Sequence, residues 1–200
     1  MGKVVYKVAE ICYKFVVLNL LWILFTILGL GVFGVMPATV ALFAVIRQWI
    51  KGEKDLRLIS LFWRYYKADF FRANLIWLIY LAVFYVIYVN YMFVEFYYAE
   101  DIHFYIYSVI FVAFIVIFMS FVNVFSIMAH YKMKTIQYIK VALGMVFSKP
   151  LHTIIQIIWL LVYYIVFIEL PKVFLVLGVS VIAFVLLGTN YRIFIKYDQK

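Results

Sequence analysis

The uncharged stretch FVVLNLLWILFTILGLGVFGVMPATVALFAVI, residues 15–46, decides the fold of this 200-residue chain. A bilayer core about 30 Å thick needs about 20 apolar residues per helix, so the stretch is too long for one span and short for two. The glycines at its centre weaken a helix where a turn is needed, and Pro37 suits the first position of a new helix. We therefore expect a helical hairpin with helices over about residues 11–31 and 37–51.

Four further apolar segments follow the hairpin, and each is long enough to span a membrane. The chain is 70% hydrophobic and 14% charged, whereas an average soluble domain carries about 25% charged residues, so a water-soluble fold is excluded. The expected fold class is all-α, a polytopic transmembrane bundle of about six helices in one membrane domain over residues 1–200. The other four spans are predicted at residues 73–94, 104–129, 151–169 and 173–191.

The positions of the basic residues set the expected orientation, because Lys and Arg near span ends mark the cytoplasmic side. With six helices and both termini inside, every basic residue except Lys172 lies on the cytoplasmic side. Five helices would move a whole basic group outside. The loop at residues 95–103 contains acidic residues and no Lys or Arg, which fits an external position. We therefore expect both termini to be cytoplasmic.

Two amphipathic segments, residues 55–72 and 132–147, connect predicted spans and are expected to lie as helices in the membrane interface. Their cations would face anionic lipid at the cytoplasmic surface, and the position of the +9 net charge beside apolar spans argues against nucleic-acid binding. The first segment is either a plain connector or a docking surface for a cytoplasmic partner. The interfacial basic residues of the first half are Arg47, Lys51, Arg57, Arg64, Lys67 and Arg72.

Three amide side chains, Asn19, Asn123 and Gln156, fall within predicted spans, where each must find a hydrogen-bonding partner. They are candidates either for interhelical hydrogen bonds or for a polar pathway. No Asp, Glu, Lys or Arg lies near the middle of a span, which counts against ion-coupled transport. A stripe of small residues, Gly34, Ala38, Ala41 and Ala44, predicts close helix packing.

The sequence offers no motif for catalysis, for a metal or for a cofactor. The single cysteine, Cys12, excludes an intramolecular disulfide, and the three histidines form no helical metal pair. Glu95, Glu100, Asp101 and His103 in the external loop could hold a cation or act in acid–base chemistry, but they lack a second histidine. We therefore expect a protein that is not an enzyme and has no cofactor.

The segment LGLGVFGVMPATVAL, residues 28–42, resembles the signature of the YesL family of bacterial multi-pass membrane proteins. The likeness continues through Arg47-Gln48-Trp49 to Asp69-Phe70-Phe71. The resemblance implies a protein of the bacterial cytoplasmic membrane, often encoded near carbohydrate uptake and degradation genes, in a family of unknown function. It directs attention to residues expected to shape the first turn and its packing: Gly29, Gly34, Pro37, Ala38, Thr39 and Ala41.

Three functional hypotheses follow from these features. The first is a non-enzymatic accessory or interaction subunit of a sugar-uptake system, in which a sugar-transport component is the partner. The second is a facilitator or channel for a small uncharged solute, lined by Asn19, Asn123 and Gln156. The third and weakest is a membrane enzyme that acts on lipid or glycan through the external acidic residues and His103.

Overall fold

The computed structural model describes residues 2–53 and 57–198, and these form seven α-helices and one short 3₁₀ helix, with no strand among them. Six of the α-helices are long and apolar enough to cross a membrane, which confirms the all-α polytopic fold; the exception is α5. The helices are α1 (Gly2–Leu28), α2 (Val32–Ile50), α3 (Leu58–Tyr97), α4 (His103–His130), α5 (Thr135–Ser148), α6 (Pro150–Glu169) and α7 (Pro171–Asp198), and the 3₁₀ turn Glu100–Ile102 precedes α4.

Helix α2 is the centre of the bundle and contacts α1, α3, α4 and α7. Its small residues are buried, as close packing requires: Ala38 and Ala41 are fully buried, and Ala44 is nearly so. Large apolar side chains on its other faces are buried as well, among them Leu42 and Ile46. A helix buried on all sides reads as uniformly apolar, which explains the absence of charge in this part of the sequence.

Helix α3 differs from the prediction, because the first connector is not a separate helix. Residues 55 and 56 lie outside the described residues, and from Leu58 the connector continues without a break into the span, giving one helix of 40 residues. At 1.5 Å per residue this helix is about 60 Å long, twice the thickness of a bilayer core. No Gly or Pro lies between Gly52 and Gly144 to interrupt it. The second connector does form its own helix, α5, close to the predicted 132–147.

The tip of the α1–α2 hairpin packs against the first turns of α3. Leu30 and Gly31 adopt positive φ values of 59° and 71° and reverse the chain. A Cβ atom at Gly29 would collide with the Cα atom of Gly34 and with the hydroxyl group of Tyr66, so only glycine permits this approach. The Phe25 ring of α1 stacks on the Phe62 ring of α3, with 5.0 Å between centroids.

These contacts bear on the predicted position of the hairpin turn. The turn was expected on the outer face and residues 55–72 on the cytoplasmic face, but atoms in contact cannot be separated by a bilayer core about 30 Å thick. The adjoining turns of α3 carry Arg64, Lys67 and Arg72, which do not belong in hydrocarbon. We therefore expect the hairpin to enter and leave on one side of the membrane, which leaves the expected orientation of the other spans unchanged.

Pro37 also differs from the prediction, since α2 begins at Val32 and the proline lies inside the helix. Proline has no backbone N–H, so the carbonyl group four residues earlier, that of Phe33, loses its helical partner. The side chain of Asn74 on α3 replaces it: Nδ2 donates to the Phe33 carbonyl oxygen at 3.0 Å and to the Phe70 carbonyl oxygen at 2.9 Å. The proline and the asparagine thus form a complementary pair between α2 and α3.

Replacement of Asn74 by Leu should lower the stability by about 1 kcal/mol, because the Phe33 carbonyl oxygen loses its donor. The Pro37→Ala variant restores a backbone N–H for that oxygen, so the loss should be smaller when Asn74→Leu is made in that background. Thermal unfolding of the unmodified protein, the two single variants and the double variant in a neutral detergent measures the coupling free energy between the two residues. An equal loss in both backgrounds would show that the two residues act independently.

Cysteine labelling in a Cys12→Ser background tests the position of the hairpin. With an impermeant thiol reagent, Glu100→Cys should react in intact cells and Lys134→Cys only after the cells are opened. Residue 32 lies at the hairpin tip, and its side chain is exposed. We expect Val32→Cys to stay unlabelled in intact cells. Labelling of Val32→Cys from outside would restore a hairpin that crosses the membrane.

Candidate functional site

A cluster of neutral polar side chains joins α4, α6 and α7 inside the bundle. Helical spacing brings the members together, because residues three or four positions apart share a face of a helix. Asn123 and Ser126 lie on one face of α4, His152 and Gln156 lie on one face of α6, and Asn190 reaches them from α7. All of these side chains except His152, which is partly exposed, are fully buried.

Asn190 is the centre of this amide cluster, since its side chain uses all of its hydrogen-bonding capacity. Nδ2 donates to Asn123 Oδ1 at 3.0 Å and to Ser126 Oγ at 2.8 Å. Oδ1 accepts from Gln156 Nε2 at 3.1 Å and lies 2.7 Å from His152 Nε2, which is therefore the donor of that pair. Gln156 Nε2 also donates to Asn123 Oδ1 at 2.9 Å.

The structure separates the three amides that the sequence singled out. Asn123 and Gln156 meet in the cluster, whereas the side chain of Asn19 lies between α1 and α7, where its Oδ1 accepts from the Val179 backbone N–H at 3.1 Å. Asn190 and His152 were not among the predicted residues. Both fall near predicted span ends, where water would be an adequate partner, so their positions in the sequence do not indicate that they reach into the core.

The chemistry open to the cluster is that of a clamp between helices. Amide and hydroxyl groups do not ionise near neutral pH, so the buried members carry no charge. Two atoms in the cluster, Asn123 Nδ2 and Gln156 Oε1, have no partner within the described residues. The remaining bonds fix the rotation of three helices about their axes, which is how polar groups act between membrane helices.

The residues around the hairpin have structural partners. The Trp22 Nε1–H donates to Thr39 Oγ1 at 3.0 Å, and the Thr39 hydroxyl donates to the Val35 carbonyl oxygen at 2.7 Å. These bonds connect α1 to α2 above the Gly29 and Gly34 contact. The family-motif residues therefore serve the packing of the hairpin in this structure.

The predicted interfacial cations take up different roles. Arg47 turns inward, and its Nη1 donates to the Ala129 carbonyl oxygen at 3.1 Å, one of the last carbonyl groups of α4. Arg72 pairs with Asp69 at 2.9 Å, and the charge of Lys132 also acts on that carboxylate. The remaining four, which are Lys51, Arg57, Arg64 and Lys67, are exposed. Of these, Arg64 and Lys67 lie over aromatic rings of α3.

Two grooves with basic rims lie at the ends of helices. The α3–α5 groove, about 580 Å³, lies beside Arg72 of α3 and the loop that leads into α5. Its lining residues are Arg72, Lys132, Met133, Lys134, Thr135 and Gln137. The α6–α7 groove, about 610 Å³, lies between the start of α6 and the last turns of α7. Lys149, His152, Arg192 and Lys196 supply its polar rim.

In the loop considered as a catalytic or cation site, the candidate residues form local contacts and a short helical turn. His103 Nε2 lies 2.9 Å from the Tyr98 carbonyl oxygen, and the carboxylates of Glu100 and Asp101 belong to the short 3₁₀ turn beside it. Within residues 2–53 and 57–198, no three His, Cys, Asp or Glu side chains come together in a way that would hold a metal ion.

Replacement of Asn190 by Leu should destabilise the bundle by about 2 kcal/mol, since four hydrogen bonds of about 0.6 kcal/mol each are lost. The matched control is Thr189→Val on the adjacent position, where the hydroxyl bonds only within its own helix, to Leu186 at 2.8 Å. This variant should unfold at a temperature close to that of the unmodified protein. If thermal unfolding shows equal midpoints for the two variants, the cluster does not hold the helices together.

Comparison with known proteins places the chain in a family. The family model described as "Protein of unknown function, DUF624" matches residues 15–91. Among curated proteins of Bacillus subtilis (strain 168), the uncharacterized protein YteU is 31% identical over 96% of this chain and 86% of its own length, and YesL is 27% identical over 92% and 86%. YesV is 33% identical over 74% of this chain and 71% of its own length. No solved structure matches the chain. The protein belongs to the DUF624 family, which confirms the resemblance to YesL carried by residues 28–42.

Proposed function

We propose that the protein is a non-enzymatic accessory subunit of a membrane assembly and that it binds an acidic cytoplasmic segment of its partner in the α3–α5 groove. The convergence of Arg72, Lys132 and Lys134 on this groove is the observation that carries the proposal. The three cations come from two elements, and none of the described residues that line the groove is acidic. Asp69 lies outside this lining and pairs with Arg72, so Lys132 and Lys134 carry the net positive charge of the groove. Charge complementarity therefore favours an acidic occupant.

The division of labour in such an assembly follows from the energetics of each part. An exposed ion pair contributes about 0–1 kcal/mol, so three cations give orientation and specificity rather than strong anchoring. The apolar spans already hold the protein in the bilayer, where a partner in the same membrane is at high effective concentration. A weak basic groove is then sufficient for docking.

Support for the non-enzymatic part of the proposal comes from the polar groups themselves. The amide and hydroxyl members of the cluster are uncharged and buried among α4, α6 and α7, and Asn19 lies apart from them, which also gives a solute facilitator less support. The link to carbohydrate uptake, with a sugar-transport component of the cytoplasmic membrane as the partner, is supported by the family resemblance described for residues 28–42.

Photocrosslinking from the groove tests the docking proposal. The photoreactive residue p-benzoylphenylalanine in place of Gln137, which is exposed in the groove, should crosslink in native membranes to one membrane protein of a sugar-uptake system. The crosslinked peptide should be rich in Asp and Glu. The double variant Lys132→Glu with Lys134→Glu should abolish the crosslink, because like charges then oppose each other.

Two further measurements separate a charge effect from misfolding. Reversal of the acidic residues in the partner segment should restore the crosslink to the Lys132→Glu, Lys134→Glu variant. The matched control Arg192→Glu with Lys196→Glu changes the same charge in the other groove and should leave the crosslink intact. A crosslink that persists in the first variant, or an intact protein that crosslinks only to lipid from position 137, would refute the docking proposal.

A further inference from the structure

The α6–α7 groove has a set of features that the docking proposal does not use. Two elements far apart in sequence form it: the junction of α5 and α6 supplies Lys149 and His152, and the end of α7 supplies Arg192 and Lys196. The cavity measures about 610 Å³, and no acidic side chain is among the described residues that line it.

The cations of this groove have no acidic partner among the described side chains. Among the side chains that the structure describes, no ion pair involves Lys149, Arg192 or Lys196. The ammonium group of Lys149 lies 5.9 Å from the centre of the Tyr197 ring, which keeps it at the groove. Like charges gathered in one cavity repel each other, so an anion bound among them would relieve that repulsion.

The backbone at the same place also favours an anion. Helix α6 has 20 residues and begins at Pro150 in the wall of the groove, so the positive end of its dipole adds to the field of the three cations. Lys149 is the residue that immediately precedes this helix. Side chains and backbone therefore point to one ligand chemistry, a phosphate or another oxyanion.

An apolar cavity continues from the basic groove, and it indicates what else the ligand contains. This second cavity, about 340 Å³, shares Ser148, Lys149, Ile193 and Tyr197 with the α6–α7 groove. Its remaining walls are mainly apolar and are formed by Tyr131, Met133, Val141, Gly144, Met145 and Phe194. A small water-soluble anion would leave this cavity unfilled, whereas an acyl chain matches it.

The position in the membrane agrees with a lipid. The apolar spans Pro150–Glu169 and Val176–Tyr197 begin and end at the groove, so the cations lie at the depth of phospholipid headgroups. We propose that the α6–α7 groove is a specific binding site for an anionic phospholipid, with the phosphate among Lys149, Arg192 and Lys196 and an acyl chain in the adjoining apolar cavity. Basic pockets between membrane helices bind anionic headgroups in this way.

The test measures binding of acyl-labelled phosphatidylglycerol to the full chain in neutral detergent micelles by fluorescence anisotropy. Arg192→Gln with Lys196→Gln should weaken binding about 30-fold, as expected for two cations at a headgroup. The matched control Lys132→Gln with Lys134→Gln removes the same charge from the α3–α5 groove and should bind lipid normally. Labelled phosphatidylcholine, which has no net charge, should bind weakly to all three proteins.

Two further measurements distinguish a phospholipid headgroup from a soluble phosphate ester as the source of the phosphate. Val141→Asn, in the apolar cavity, should weaken binding of long-chain phosphatidylglycerol more than that of a six-carbon-chain analogue. Glycerol 3-phosphate should compete poorly with the labelled lipid. Strong competition by glycerol 3-phosphate would show that the ligand is a soluble phosphate ester and not a lipid. Equal weakening of lipid binding by the two double variants would show that general surface charge, and not this groove, attracts the lipid. Either result overturns the proposal without affecting the crosslinking result from Gln137.

Discussion

Water is absent from the hydrocarbon core, so each polar group that α-helices carry there must find its partner inside the protein. This constraint applies in full to the buried amide cluster, whereas the Phe33 carbonyl near the hairpin tip is exposed and can also be reached by water. Pro37 removes one backbone donor from the central helix, and Asn74 of α3 supplies another to the freed carbonyl of Phe33. Asn190 bonds four side chains of α4 and α6. In both cases a polar requirement of one helix determines which helix packs beside it, whereas apolar surface alone would leave the choice open.

Much of the fold could be predicted, because the number of spans depends on local composition. The break at Glu169-Leu170-Pro171 and the separate helix α5 follow from turn residues and charge, and the structure has both. Close packing at Gly29 and Gly34 follows from the lack of side chains at these positions. Such features need only the identity of neighbouring residues, which the sequence states directly.

The errors concern depth and register, which depend on contacts between distant residues. Pro37 was placed at the start of α2 on its usual preference, but the positive φ of Leu30 and Gly31 completes the turn earlier and α2 begins at Val32. A span was predicted to start at residue 73 because a bilayer sets a length, although no Gly or Pro ends the preceding helix. Likewise, Asn190 is one residue from a predicted span end, and only the packing of α4 and α6 shows that it is buried.

The two basic grooves differ in the backbone that carries their cations, and that difference supports their assignment to different ligands. Arg192 follows Asn190 by two residues on α7, and His152 donates to Asn190, so the α6–α7 groove is built on helices that the amide cluster holds in place. A preordered site loses little conformational entropy on binding, which suits a ligand as small as a phosphate headgroup. In the α3–α5 groove, Lys132 and Lys134 lie in the loop before α5. Side chains on a loop can adapt to an extended acidic segment, and a protein partner supplies enough further contacts to offset the cost of ordering them.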